Sequence, residues 1–246
     1  MTALDRARDR LVFALDIADP EEALACARSL VGTVRWIKVA TTLFTRGGAP
    51  LIATLRELGF SVFLDLKFHD IPAQVEGACR SAARLGVGLM TVHASGGRAM
   101  LQAAARGAAA GAAEAGHPAP TVLAVTVLTS LDQEDLATMG VTRHVQDQVL
   151  ALARLAWESG CGGIVSSPQE LPLLRPALPR PFGILTPGIR PAGAAVGDQK
   201  RVTTPGDAVQ GGSDWLVVGR PIRNAPDRAA AAAAILDEMA EAEADA

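Results

Sequence analysis

The sequence predicts an α/β fold, a closed (β/α)8 barrel of the TIM type, on three observations. Eight short β-rich runs recur along a chain of 246 residues, close to the roughly 250 residues typical of one such barrel. Longer stretches with helix-start signals separate the runs, and strands alternating with helices build a parallel sheet. No Gly-x-Gly-x-x-Gly follows the first run, which argues against a dinucleotide-binding sheet. An open doubly wound sheet is the structural alternative.

The strands are expected at residues 11–17, 34–40, 61–68, 89–94, 121–128, 163–167, 182–187 and 215–219. Helices are expected at 20–31, 50–58, 72–85, 97–115 and 143–159. Several open on Pro or follow Asp or Ser, as helix N-termini do. The connections 168–181 and 192–212 are poorer in helix signal, and an Ala-rich helix over about 226–242 closes the chain. Nothing reads as a linker or a low-complexity tract, so residues 1–246 are expected to form a single domain.

Composition narrows the function classes. Apolar residues make up 49% of the chain, enough for a sizeable core. The net charge of −3 is spread without a basic stripe, which argues against nucleic acid as a partner. The absence of Tyr argues against a base-stacking surface. Cys26, Cys79 and Cys161 are odd in number and widely spaced, so they read as buried apolar residues in a reducing compartment, not as a disulfide framework or a metal knuckle. The N-terminus lacks the basic start and apolar run of a signal peptide. No apolar stretch is long enough for a bilayer, and a cytoplasmic location with no membrane partner is expected.

Four charges interrupt runs that a buried parallel sheet keeps apolar. Asp16 lies between Leu15 and Ile17, and Lys38 between Ile37 and Val39. Asp65 and Lys67 flank Leu66. Side chains alternate along a strand, so apolar neighbours facing the helices send these charges into the barrel. They fall towards the strands' C-terminal ends, where barrel enzymes build their sites. Two Asp and two Lys can neutralise one another there; a purely structural ion-pair network is the bland alternative. The 23 basic residues include only three lysines, Lys38, Lys67 and Lys200. A bias that replaced ordinary lysines by arginine leaves those whose role arginine cannot fill. An ammonium gives up a proton at accessible pH, and a guanidinium does not.

Asp70 follows in the loop before Pro72, where helix N-cap is its ordinary use. His69 is one step out of phase with Lys67 and reads as peripheral. His93 has inward parity and reads as a polar support; His117 and His144 read as surface or loop residues. No His, Cys or carboxylate grouping has clear metal-ligand spacing. The last strand runs into Gly219-Arg220, where backbone and guanidinium together suit a phosphate. Barrels bind phosphate in the loops after strands seven and eight. The seventh strand leads to Arg190 and then to a polar loop, 192–203, that contains Gln199 and reads as a lid. An ordinary solvent loop with a surface Arg190 is the alternative. Thr129 and Ser130, after the fifth strand, suit either a polar ring or a turn cap.

Taken together these residues resemble a known family. Phe63-Leu64-Asp65-Leu66-Lys67-Phe68-His69-Asp70-Ile71-Pro72 resembles the signature of the orotidine 5′-phosphate decarboxylases, which carry out the last step of UMP synthesis. The resemblance runs in order through essentially the whole chain. It takes in the Asp16 and Lys38 strands, Thr-Val-His-Ala-Ser-Gly-Gly at 91–97, Leu-Thr-Ser at 128–130, Pro-Gly-Ile-Arg at 187–190, Asp198-Gln199 and Gly219-Arg220. The Asp-x-Lys-x-x-Asp core alone is shared with sugar-phosphate barrels; the complete set is specific.

The resemblance implies conversion of orotidine 5′-phosphate to UMP without cofactor or metal. By similarity Lys67 is the proton donor to C6, and Asp65 sits beside the departing carboxylate. Lys38 and Asp16 contact the ribose and hold the charge network. Thr129 and Ser130 lie near the pyrimidine. Gln199, Gly219 and Arg220 take the phosphate, with Arg190 in the same lid region. The family is dimeric, and Asp70 reaches into the partner's site. One departure is visible: many members have Asn-Thr where this chain has Ala73-Gln74. Gln74 stays polar at the position of a hydroxyl that binds ribose across the dimer. The rival readings are a Mg²⁺-dependent sugar-phosphate lyase of the same superfamily and a non-catalytic nucleotide-binding barrel.

Overall fold

The structure is a computed structural model that describes residues 2–191 and 203–244. Its strands are β1 (Leu11–Ala14), β2 (Trp36–Ala40), β3 (Ser61–Phe68), β4 (Leu89–His93), β5 (Thr121–Val125), β6 (Gly163–Val165), β7 (Gly183–Thr186) and β8 (Trp215–Val218). Each pairs in parallel with the next, and β8 pairs with β1, so the sheet closes in sequence order. Closure removes the open sheet from consideration. The helices are α1 (Ala3–Arg10), α2 (Pro20–Arg28), α3 (Thr41–Glu57), α4 (Pro72–Arg84), α5 (Gly97–Ala115), α6 (Gln133–Thr138), α7 (Val145–Glu158), α8 (Leu171–Ala177), α9 (Pro205–Gln210), α10 (Arg220–Arg223) and α11 (Arg228–Ala244).

The alternation expected along the strands is what the packing shows. Leu11, Phe13, Ile37, Val39, Val62 and Leu64 are buried in the layer between strands and helices. Val12, Ala14, Phe63, Leu89, Leu123, Leu185 and Val217 form a separate cluster inside the barrel. Trp36 and Trp215, the first residues of β2 and β8, pack against that inner cluster. The interior is therefore filled below, and polar side chains have room only above it. Cys26, Cys79 and Cys161 are buried free thiols, and burial pushes Cys79 and Cys161 up to about 12.

Several boundaries differ from the sequence reading, each for a local reason. β1 ends at Ala14, so Asp16 stands on the β1–α2 loop instead of in a strand. α3 begins at Thr41, not at Pro50, and kinks at Gly48 (φ 55, ψ −153), just ahead of the proline that cannot donate. The stretch 168–181 is helical after all: a 3-10 turn, Pro168–Glu170, leads into α8. Ser167 and Glu170 form a capping box there, and prolines are tolerated in a first turn whose N–H groups lack helical partners. The stretch 192–212 contains α9. α1, not among the helices expected from the sequence, carries a Thr2/Asp5 capping box, and its Arg6 and Arg10 pair with Glu243 of α11.

α4 and α5 pack backbone to backbone. A Cβ on Gly107 would lie 2.2 Å from the Glu76 carbonyl oxygen, and one on Gly111 2.1 Å from that of Arg80. Arg106 and Glu76 pair across the same seam at 2.8 Å. Alanine helps an isolated helix by about 1 kcal/mol over glycine, but here it forces two backbones apart. We expect Gly107→Ala to lower stability by about 1–3 kcal/mol. Thermal unfolding would show it as a fall of roughly 3–10 °C; an unchanged or raised Tm contradicts the close packing.

Candidate active site

A cavity of about 560 Å³ opens at the C-terminal end of the barrel. Its floor is the upper part of the inner layer: Phe63, Val125, Val165, Leu185 and Val217. Asp16, Lys38, Asp65, Lys67, Thr129, Arg190, Gly219 and Arg220 line its walls. Eight of the residues singled out in the sequence thus share one space. The acid–base groups come from the β1, β2 and β3 side. The arginines come from the chain after β7 and β8.

The charges alternate in a continuous chain. Lys38 Nζ lies 3.0 Å from Asp16 Oδ1 and 3.5 Å from Asp65 Oδ2. Lys67 Nζ donates to Asp65 Oδ1 at 2.7 Å. Burial deepens inward: side-chain exposure is 50% at Asp16, 35% at Lys67, 11% at Asp65 and 10% at Lys38. Burial by itself pushes the Asp65 carboxyl up. The Lys38 and Lys67 charges, with hydrogen bonds from Lys67 and Thr91, outweigh it and hold the carboxyl below its ordinary value of 3.8. Asp65 is therefore a carboxylate at neutral pH, and Lys67 stands partly exposed in the cavity, available to a ligand.

Thr91 enters the sequence reading only as the first residue of the 91–97 stretch, with no role of its own. It is fully buried on β4, donates to Asp65 Oδ1 at 2.9 Å and accepts the Lys67 backbone N–H at 2.9 Å. Its signal is the one that marked the charges: a polar residue at an inward position of an apolar strand. Arg223 escaped the sequence reading. It lines the cavity from α10, one turn past Arg220, and its guanidinium donates to the Asp16 carbonyl. That bond ties the end of β8 to the β1 loop.

Lys67 reaches the cavity by an irregularity that sequence does not announce. Leu64 pairs with Met90, yet the next register pair is Phe68 with Val92, so β3 bulges against β4. Among the described residues Lys67 is the one non-glycine with positive φ, at 50°. Such a conformation costs about 1–2 kcal/mol, and bulges of this kind re-aim a side chain beside a site.

The remaining sequence candidates stand elsewhere. Asp70 and Gln74 are exposed at the start of α4 and do not line the cavity. Asp70 is not the helix cap either. Ile71 occupies the N-cap position without a side-chain bond, and Asp70 Oδ1 accepts the Ile71 N–H at 2.6 Å. Thr129 and Ser130 lie in a turn beyond β5, and only Thr129 reaches the cavity. They do not cap α6; Asp132 does. Arg190 is buried rather than a surface arginine, only 5% exposed, with Nη1 donating to the Ile189 carbonyl at 3.2 Å. Gln199 lies outside the described residues.

His93 is half-buried, its ring centroid 5.4 Å from that of exposed His69. Burial lowers its pKa, and the neighbouring His69 and Lys67 act in the same direction against Asp65, so it is neutral at pH 7. Among the described residues no group of three or more His, Cys, Asp or Glu could hold a metal ion, and no helix is long and apolar enough to cross a membrane.

The model of the Orotidine 5'-phosphate decarboxylase / HUMPS family matches residues 9–235. The chain belongs to this family. It is 52% identical to the orotidine 5'-phosphate decarboxylase of Synechococcus sp. (strain WH7803) over 232 residues, 94% of this chain and 95% of the relative. Identity to the orotidine 5'-phosphate decarboxylase of Dichelobacter nodosus (strain VCS1703A) is 51% over 226 residues, 92% of this chain and 96% of the relative. The crystal structure of orotidine 5'-phosphate decarboxylase from Lactobacillus acidophilus matches with a TM-score of 0.84 at 40% identity, covering 94% of this chain and 99% of that one. As a member of the Orotidine 5'-phosphate decarboxylase / HUMPS family, the chain carries Lys38, Asp65 and Lys67 on β2 and β3, Asp16 on the loop after β1, and Arg190 and Arg220 after β7 and β8.

Proposed function

We propose that this chain is a cytoplasmic carboxy-lyase that converts orotidine 5′-phosphate to UMP and CO₂ within one catalytic domain, residues 1–246, without metal or cofactor. The carrying observation is the Asp16–Lys38–Asp65–Lys67 chain sharing one cavity with Arg190, Gly219 and Arg220. Near-half identity to relatives named orotidine 5'-phosphate decarboxylase supports the same reading.

The chemical problem is an in-plane carbanion at C6 that the ring cannot delocalise. The bond from C6 to the carboxylate breaks, its electron pair stays on C6, and CO₂ leaves. Lys67 Nζ gives its proton to C6, and solvent returns one to the amine. The ammonium's field, fixed before the reaction, stabilises charge as it develops. Asp65 sits beside the carboxylate in this reading and favours its departure; its contacts with Lys38, Lys67 and Thr91, which hold it as a carboxylate, support the role. Lys38 and Asp16 hold the ribose, and Thr129 and Ser130 stand near the pyrimidine. Arg220, the Gly219 backbone, Arg190 and Gln199 take the phosphate. Binding energy from that remote group orients the ring. We further propose a homodimer in which Asp70, with Gln74 behind it, reaches the partner's cavity. Their exposure at the start of α4, away from their own cavity, supports this placement.

The donor set favours proton chemistry over a bound Mg²⁺. Both Asp65 oxygens face ammonium groups, at 2.7 and 3.5 Å. Two carboxylates and two ammoniums sum to zero, whereas a cation site presents net negative oxygen ligands. The test is loss of orotidine 5′-phosphate absorbance with chromatographic identification of UMP, before and after exhaustive EDTA treatment. Full activity in EDTA is expected. Loss of activity in EDTA that Mg²⁺ restores supports the sugar-phosphate lyase instead. Tight UMP binding with no turnover supports a non-catalytic barrel.

A further inference from the structure

We propose that Thr91 is a positioning residue whose one hydroxyl locks the Lys67 bulge and the Asp65 carboxylate into a single rigid unit. The inference rests on Lys67 being the proton donor.

A hydroxyl has one hydrogen to give and two lone pairs to accept with. Thr91 uses both capacities on the same neighbour strand. It gives its hydrogen to Asp65 Oδ1 at 2.9 Å and accepts the Lys67 N–H at 2.9 Å. Asp65 Oδ1 in turn accepts from Lys67 Nζ at 2.7 Å. Three contacts thus close a ring: hydroxyl to carboxylate, carboxylate to ammonium, and the ammonium's own backbone back to the hydroxyl.

The bulge explains why such a ring is needed. Between the Leu64–Met90 and Phe68–Val92 pairs, β3 has more residues than β4 can match. Lys67 consequently sits at φ 50°, and its N–H, taken off the regular ladder, goes to the Thr91 side chain. A left-handed lysine persists only where its surroundings over-determine it. Thr91, fully buried and held by β4, supplies a fixed point. Remove the oxygen and the N–H is left without that acceptor, Asp65 loses a donor, and Lys67 is free to relax out of the bulge. A proton donor displaced by about 1 Å loses on the order of a hundredfold in rate.

Two pairs of variants isolate the hydroxyl. Thr91→Val keeps shape and removes it; Thr91→Ser and Thr91→Ala differ from each other in the hydroxyl alone. All are measured on the full chain, with UMP binding and Tm as checks of folding. Thr91→Val is expected to lower kcat about 10–100-fold with KM changed less than about threefold, since the ligand's phosphate end is untouched. Thr91→Ser is expected to stay within about fivefold of wild type, and Thr91→Ala to fall with Thr91→Val.

The acid limb of kcat gives a readout that packing alone does not move. The charged and titratable groups facing Asp65 are Lys38 on β2, Lys67 on β3 and, at longer range, His93 on β4; Asp16 stands behind Lys38. Losing a hydrogen bond to the carboxylate shifts that limb to higher pH.

Wild-type-like kcat in Thr91→Val overturns the inference, as does an equal loss in Thr91→Ser and Thr91→Ala. If Thr91→Val fails to fold, the Ser–Ala comparison decides. An active wild type that Lys67→Ala silences, with every Thr91 variant fully active, refutes this inference alone. Absence of orotidine 5′-phosphate turnover in the wild type refutes the functional reading and this inference with it.

Discussion

Lys67→Ala is expected to abolish decarboxylation of orotidine 5′-phosphate while UMP still binds. The side chain carries two tasks in the proposed reaction. As a general acid it is worth about 10²–10⁴-fold. As a fixed positive charge beside a developing carbanion it adds roughly another 10²–10³-fold. Their lower bounds multiply to a loss of about 10⁴-fold in kcat. In the proposed reaction product affinity rests chiefly on Arg190, Gly219 and Arg220, which line the same cavity and are left intact in this variant. Single-turnover absorbance measurements read the first quantity, and calorimetric titration with UMP the second. Turnover within tenfold of wild type would remove Lys67 from its assigned role. The permanently charged alternative, longer and planar at its tip, is informative too. Lys67→Arg preserves the ion pair, yet a guanidinium does not release its proton at working pH, so it is expected to be nearly as slow.

Asp65→Asn is the second large effect, and it is visible in both stability and rate. Asp65 is the hub of the charge chain, contacting Lys38, Lys67 and Thr91 together. An amide keeps the shape but leaves two ammoniums facing each other without the charge between them. Lys38 retains Asp16 at 3.0 Å; Lys67 loses the carboxylate that the described residues provide. Removing one partner of a buried pair costs about 3–5 kcal/mol. Lys67 is a third exposed, so solvent screening reduces this to roughly 1–3 kcal/mol. Turnover is expected to fall at least about 10³-fold, because the field that orients both Lys67 and the substrate carboxylate is lost.

The pH dependence of stability carries the same signature. The folded-state pKa of Asp65 is depressed below 3.8. Its contribution to stability is therefore fully present above the unfolded-state value of about 3.9 and is lost as pH falls through the folded value. Chemical unfolding of the wild type between pH 7 and pH 3 should show this loss at the acid end. Asp65→Asn should start less stable at pH 7 and lose less on acidification. Parallel curves for the two proteins would show that Asp65 is not held as a buried carboxylate.

The positions of the strands are legible in the sequence because burial on both faces of a parallel sheet demands short apolar runs. The runs at 61–68, 163–167 and 215–219 fall on β3, β6 and β8 within two residues. Charge within such a run is equally legible. Lys38, Asp65 and Lys67 stand out because an isolated buried charge is too costly to persist without a use or a partner. Gly219-Arg220 stands out because barrels concentrate phosphate contacts after their last strands. Local reading failed where two local uses of one residue compete. Asp70 reads as a cap for α4, yet the cap position went to Ile71 one residue later. The stretch 168–181 reads as poor in helix signal, yet Pro168 and Pro172 fall in first turns, where a missing N–H costs nothing; Pro176 stands inside α8 near its end.

β3 carries two members of the charge chain, and sequence alone establishes that Asp65 and Lys67 share one side of that strand. Only the tertiary structure decides how they act. Strict alternation would leave Lys67 in the regular ladder with an ordinary extended backbone. Pairing with β4 instead forces a bulge, turns Lys67 to positive φ and hands its N–H to Thr91. Register mismatch between two strands is a property of the pair, not of either run. A hydroxyl 24 residues away in the chain becomes part of the site for that reason.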